Sequence, residues 1–122
     1  EVLLVSKPEL PSLTNALGAK KLAEQMERDV IGLVLNEVRN EDHEVEHEDI
    51  KDLVGEQILS KVPDHRHVRE AIALRDPVVS YKPDSRASHK IEDVAYQIRG
   101  EEPPKRGLST QLKYKVDEFN LL

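Results

Sequence analysis

Six apolar or small residues stand in succession at Val30-Ile31-Gly32-Leu33-Val34-Leu35, between the polar Asp29 and Asn36. An unbroken run of that length predicts a strand over 29–36 that is buried on both faces, as in a parallel sheet. Val2–Val5 reads as a second buried strand. Pro8 and Pro11 mark the loop Ser6–Pro11, and Ser12 is a candidate cap for a helix running to about Met26. Leu13, Ala16, Leu17, Ala19, Leu22, Ala23 and Met26 give that helix a wide apolar stripe suited to covering a sheet. Strand, helix and strand at this spacing predict a βαβ unit with parallel strands and a right-handed crossover.

The pattern then weakens. Glu37–Asp49 is dominated by charge and reads as a solvated loop leading into a short helix. In that helix Ile50, Leu53 and Val54 face inward and Gly55 stops it. Gln57–Pro63 is a third strand, interrupted by Ser60 and Lys61. Asp64 is the expected cap of a helix through Leu74, with Val68, Ala71 and Ile72 on its buried side. Pro77-Val78-Val79 reads as a short extended piece at a sheet edge. Pro83-Asp84-Ser85 is turn chemistry, and Ser85 or Ser88 then caps a helix carrying Ile91, Val94, Ala95 and Ile98 at i, i+3, i+4, i+7, ended by Gly100. Pro103-Pro104 separates a tail, Lys105–Leu122. The alternation predicts an α/β fold with a mostly parallel sheet flanked by helices. Three main strands make a narrow sheet whose free edge needs cover, which suits one half of a larger fold.

Composition changes this picture only at the margins. The chain has 122 residues, a net charge of −6 and 3% aromatic residues. The acidic balance and the scarcity of stacking platforms argue against a general nucleic-acid binder. The absence of cysteine excludes thiolate catalysis, disulfides and thiolate metal sites. No apolar run approaches the roughly 18 residues of a membrane span. The chain opens on Glu1 and enters its first apolar run at once, with Met26 its one methionine, so the later part of a longer, cytoplasmic protein is expected.

Candidate chemistry is sparse. The five glycines form neither GxxxxGK[ST] nor GxGxxG, so no local means of cradling a triphosphate is present. His43-Glu44-Val45-Glu46-His47 spells a zinc-protease string, but it lies in an acidic stretch with no apolar stripe and no evident third ligand. It reads as a solvated loop. His65-Arg66-His67 and His89 are expected on the surface. Asn36 ends the central strand, and the carboxyl ends of strands in open α/β sheets are where ligands bind. Its carboxamide offers a donor and an acceptor, which suits a nucleobase edge, although Asn is also a common turn residue. In the tail, Leu108, Leu112, Val116, Phe119 and Leu122 make an amphipathic stripe among Lys105, Arg106, Lys113 and Lys115. Asp117 and Glu118 weaken attraction to anionic lipid, so a helix docked on a partner or on its own domain fits better than one lying on a membrane.

Four stretches in order carry a resemblance over Glu1 to about Gly100. They are Glu1-Val2-Leu3-Leu4-Val5-Ser6-Lys7-Pro8-Glu9, Val30-Ile31-Gly32-Leu33-Val34-Leu35-Asn36, Val62-Pro63-Asp64 leading to Val68-Arg69-Glu70-Ala71, and Pro77-Val78-Val79 with Pro83-Asp84-Ser85 and Ala87. The chain resembles the C-terminal half of the MinD/ParA family of deviant-Walker P-loop ATPases, most closely archaeal MinD-like proteins. The resemblance implies the C-terminal half of a Rossmann-like P-loop NTPase fold over 1–100, followed by a linker and amphipathic tail over 101–122. It implies ATP or ADP with Mg2+, homodimerisation when ATP is bound, a regulatory protein partner, and a role in placing the division site or partitioning cargo. Peripheral contact with the inner face of the membrane would run through 105–122. By the same resemblance Asn36 recognises adenine, and Pro63 and Asp64 lie beside adenine and ribose. Relatives often carry Arg directly after that Asn, where this chain has Glu37, with Arg39 two places on. The phosphate loop, switch residues and magnesium ligand would lie upstream, so no catalytic residue is expected here and the chain alone should not hydrolyse ATP. The alternative is a non-hydrolysing scaffold of the same fold.

Overall fold

The computed structural model describes residues 1–119. Elements run β1 (Val2–Ser6), α1 (Leu10–Gln25), β2 (Val30–Val38), α2 (His47–Val54), β3 (Ile58–Pro63), α3 (Arg66–Leu74), α4 (Val78–Tyr81), α5 (Arg86–Ile98) and α6 (Leu108–Phe119). The three strands form one sheet in the order β1-β2-β3, with both pairings parallel. The expected α/β architecture is the observed one.

The apolar run of β2 is buried because helices cover both sides of it. Leu33 and Leu35 join Leu4, Leu13, Ile50 and Val54 under α1 and α2. Val34 points the other way and packs with Val62, Ala87 and Val94 beneath α5. Leu13, Leu33 and Ile50 are wholly inaccessible. Each such side chain contributes about 1.5–3 kcal/mol by leaving water. Gly32 has φ +149°, and a Cβ there would lie 2.7 Å from Leu59 Cγ, so the close crossing of β2 and β3 requires glycine. Lys20 ties α1 to α2 by donating from Nζ to the Val54 carbonyl at 2.8 Å, beside Glu56 at 3.1 Å. That ammonium caps the carbonyl end of α2, where Gly55 turns left-handed at φ 69°.

Several boundaries differ from the sequence reading. α1 starts at Leu10, with Pro11 in its first turn and no side-chain cap. Ser12 lies inside the helix, and its Oγ meets Ser6 Oγ at 2.9 Å and the Lys7 N–H at 3.0 Å, so it fastens the preceding loop instead. Pro77-Val78-Val79 is not an edge strand. Pro77 is the N-cap of α4. The cap of α3 is His65, whose Nδ1 accepts from the His67 N–H at 3.2 Å, because the Asp64 carboxylate is engaged elsewhere. Ile72 is 71% exposed rather than buried. Ser85 caps α5 by accepting from the Ser88 N–H, and Ser88 is fully buried, with Oγ 2.7 Å from the Lys82 carbonyl.

α6 packs on its own domain in an inverted sense. Leu108, Leu112, Val116 and Phe119 face solvent, whereas Tyr114 is buried against His89. Leu122 lies outside the described residues. The docking is polar throughout. His89 Nδ1 pairs with the Tyr114 hydroxyl, and Arg106 reaches Asp93 at 2.7 Å. Arg86 reaches Glu118 at 2.9 Å and Lys113 reaches Asp84 at 3.3 Å.

Candidate functional site

All three strands are parallel, so their carboxyl ends share one rim, and the residues that leave them there are Lys7, Asn36–Arg39 and Asp64. The β1 ladder ends at Ser6 opposite Leu35. Asn36 is therefore the first residue of β2 beyond the end of that ladder. On the other side the β3 ladder breaks between Leu35 and Val38. Glu37 sits in that break with φ 53°, a left-handed geometry unusual for a side chain with a Cβ. The kink is a bulge that leaves Asn36 and Glu37 exposed and returns Val38 to the sheet interior.

Charged contacts fill the rim from one strand to the next. Lys7 Nζ meets Glu37 at 2.7 Å. That carboxylate holds the lysine proton more firmly than usual, first through the hydrogen bond and then through its charge. Arg39 donates from Nε to Asp64 Oδ2 at 2.7 Å, and Arg69 donates from Nη1 to Oδ1 at 2.6 Å. The Asp64 N–H donates to the Val38 carbonyl at 2.9 Å. Pro63 pairs with Val38 and lines a cleft of about 200 Å³ with Asn40, Lys61, Arg86 and Lys90.

The rim thus brings Asn36 to an exposed strand end beside the strand that carries Pro63 and Asp64. The sequence reading noted Arg39 near Asn36 but gave no role to Lys7, Arg39 or Arg69. Alternating charge at the three strand ends was the available signal, but only the sheet order makes them neighbours. The zinc string does not form a site of the protease kind. His43 lies in a turn, 3.3 Å from Glu41, and His47 opens α2, so the two do not share a helix face. Among the described residues no group of three or more His, Cys, Asp or Glu is placed to hold a metal.

The remaining histidines are not surface decoration. His65 and His67 are buried with rings 4.6 Å apart. Burial, then the neighbouring His67, pushes the His65 pKa down. His67 meets Glu70 at 3.3 Å, and the Tyr81 hydroxyl donates to the same carboxylate oxygen at 3.0 Å. Those two bonds hold Glu70 below its ordinary pKa. Burial, and then Arg106, lowers the pKa of His89.

No family model matches the chain. An uncharacterised ATP-binding protein of Methanocaldococcus jannaschii is 30% identical over 118 residues, covering 97% of this chain and 43% of the relative. A second from the same organism is 32% identical over 100 residues, covering 82% and 38%. Among solved structures, Pyrococcus furiosus cell division ATPase MinD is 26% identical with a TM-score of 0.75, covering 80% of this chain and 41% of that one. The septum site-determining protein MinD of Pyrococcus horikoshii, complexed with Mg-ADP, is 23% identical with a TM-score of 0.74, covering 79% and 40%. The MinC:MinD complex of Aquifex aeolicus is 24% identical with a TM-score of 0.74, covering 86% and 45%.

The chain is a homologue of these archaeal ATP-binding proteins and folds like the C-terminal part of MinD. It spans less than half the length of the relatives it matches. The MinD-like fold accounts for the parallel order of the strands and for the rim that their carboxyl ends share. No described helix is long and apolar enough to cross a membrane.

Proposed function

We propose that this chain is the C-terminal part of a MinD-like nucleotide-switch ATPase and supplies the adenine-side wall of its nucleotide site. Residues 1–100 form that half of the domain, and 101–122 are its linker and tail. Asn36 reads the base edge, and the backbone at Pro63 and Asp64 forms the adjoining wall. The observation that carries this reading is the exposed Asn36 at a bulged strand end, beyond the last β1 partner, on the rim shared by three parallel strands. Relatives described as ATP-binding, and a fold neighbour complexed with Mg-ADP, support it. The ligand would be ATP or ADP with Mg2+, with phosphate and metal held by upstream residues.

In the same reading the uninterrupted protein is cytoplasmic, dimerises on ATP, and serves division-site placement or cargo partitioning with a regulatory protein. The MinC:MinD neighbour is the support for a protein partner. The outward stripe of α6 is the part of the chain that would meet a membrane surface. A non-hydrolysing scaffold is the second reading, favoured by Glu37 where relatives often carry Arg. Its carboxylate is matched here by Lys7, which relieves the charge it would present to a nucleotide. The two readings separate on the sequence upstream of Glu1. A glycine loop carrying lysine supports the ATPase, and its absence supports the scaffold.

The test of the site is selectivity. In the uninterrupted gene product, Asn36→Ala should lower the preference for ATP over GTP by about tenfold, since a lost pairing of roughly 1.4 kcal/mol is tenfold in affinity. An unchanged preference removes Asn36 from the site.

A further inference from the structure

Asp64 can serve a nucleotide in two ways. It can present its carboxylate to the base or ribose, or it can shape the wall that the backbone presents. The geometry points to the second: we infer that Arg39, Asp64 and Arg69 form a positioning clamp that holds the Pro63–Asp64 turn against the end of β2. The inference rests on the nucleotide reading given above and assigns roles to two arginines that do not themselves touch the base.

Both carboxylate oxygens of Asp64 are already in use. Arg39 Nε reaches Oδ2 at 2.7 Å and Arg69 Nη1 reaches Oδ1 at 2.6 Å. These are the short distances of charge-assisted hydrogen bonds. The carboxylate is 15% exposed, although both arginines lie largely in solvent. Each oxygen keeps a second lone pair, but a carboxylate held between two guanidinium groups and only 15% exposed has little open surface to turn toward a ribose hydroxyl or an adenine amino group.

Three ties anchor the clamp, to the end of β2 and to α3. Arg39 follows the bulge of β2, and its own N–H donates to Glu44 Oε1 at 2.7 Å, which fixes the backbone from which the guanidinium projects. Arg69 lies in α3, whose side chains lean toward the helix N-terminus and so reach back over the Asp64 turn. The Asp64 N–H adds a third tie, to the Val38 carbonyl. Backbone and side chain of one residue therefore bind the end of β2 to the start of α3. Glu44 at the Arg39 N–H and Glu37 paired with Lys7 offset the second guanidinium, so the clamp acts by holding position and not by net charge.

The experiment has two arms. In the 122-residue chain, Arg39→Met with Arg69→Met should speed hydrogen exchange at the Asp64 amide at least tenfold, with the Leu33 amide unchanged. In the uninterrupted gene product the same pair should weaken ADP binding about tenfold and narrow its preference over GDP. Arg39→Lys, which keeps the charge, should recover part of that preference. Unaltered Asp64 exchange overturns the clamp. Faster exchange with undiminished ADP binding and selectivity overturns its role in positioning. If the unaltered gene product binds neither ADP nor GDP, the nucleotide reading fails, and the positioning role falls with it while the exchange result still reports the tie.

Discussion

β2 and α6 both carry apolar patterns, and the fold treats them in opposite ways. The run in β2 is enclosed by α1 and α2 on one face and α5 on the other. The stripe in α6 faces water, and the helix is held by Tyr114, Arg106 and two further ion pairs. The difference teaches that periodicity identifies an element and its apolar face, but not which face docks. Burial follows the pattern where this chain supplies the covering surface. For α6 that surface is polar, so the polar side of the helix turns in.

The largest expected break in the comparison is at β2. Leu33→Ala opens a cavity at a site with no exposure and should cost about 2–5 kcal/mol in chemical denaturation. The tail should respond on a smaller scale and locally. Tyr114→Phe removes the hydroxyl facing His89 and should cost roughly 1 kcal/mol, read as faster hydrogen exchange in 108–119 with the Leu33 amide unchanged. A global loss as large as that of Leu33→Ala would show that α6 belongs to the core.

Acidification sharpens the contrast further. His65 and His89 are both held below their ordinary pKa of 6.5, chiefly by burial. His67 and Arg106 add to this, and nearby carboxylates of Asp117, Glu118, Glu92, Asp84 and Asp93 oppose it. The folded state therefore favours the neutral rings. Their contribution is complete above the ordinary value and is lost as pH falls below it toward the lowered folded one. Denaturation midpoints should drop between neutral pH and mildly acidic pH. His65→Asn, which keeps a cap acceptor for the His67 N–H, should flatten part of that slope. The smallest effect is expected at Leu112→Ser, within about 0.5 kcal/mol, because this side chain already faces solvent.

The strands and most helices were legible in the sequence because each is a local pattern with its own start and stop signals. Asn36 was legible as a strand end, although β2 runs two residues further through the Glu37 bulge. Four features were not. Asp64 reads as a helix cap by residue type, but two arginines, one of them 25 residues away in sequence, take its carboxylate and leave the cap to His65. Val78 and Val79 favour strands by propensity, yet they begin a helical turn after Pro77. His65, His67 and His89 look like surface residues until α5 and α6 are placed around them. The rim charges Lys7, Glu37, Arg39 and Arg69 acquire meaning only from the strand order. Each miss depends on a contact distant in sequence or on tertiary placement.

The central claim is that the rim at Asn36 and Pro63–Asp64 faces the adenine of a bound nucleotide. Photolabelling the uninterrupted gene product with an azido-adenine nucleotide, followed by peptide mapping, tests it most directly. The account predicts labelling within 36–40 or 58–69, suppressed by excess ADP. Label confined to peptides outside that rim, such as α6, and equally displaced by ADP, would contradict it.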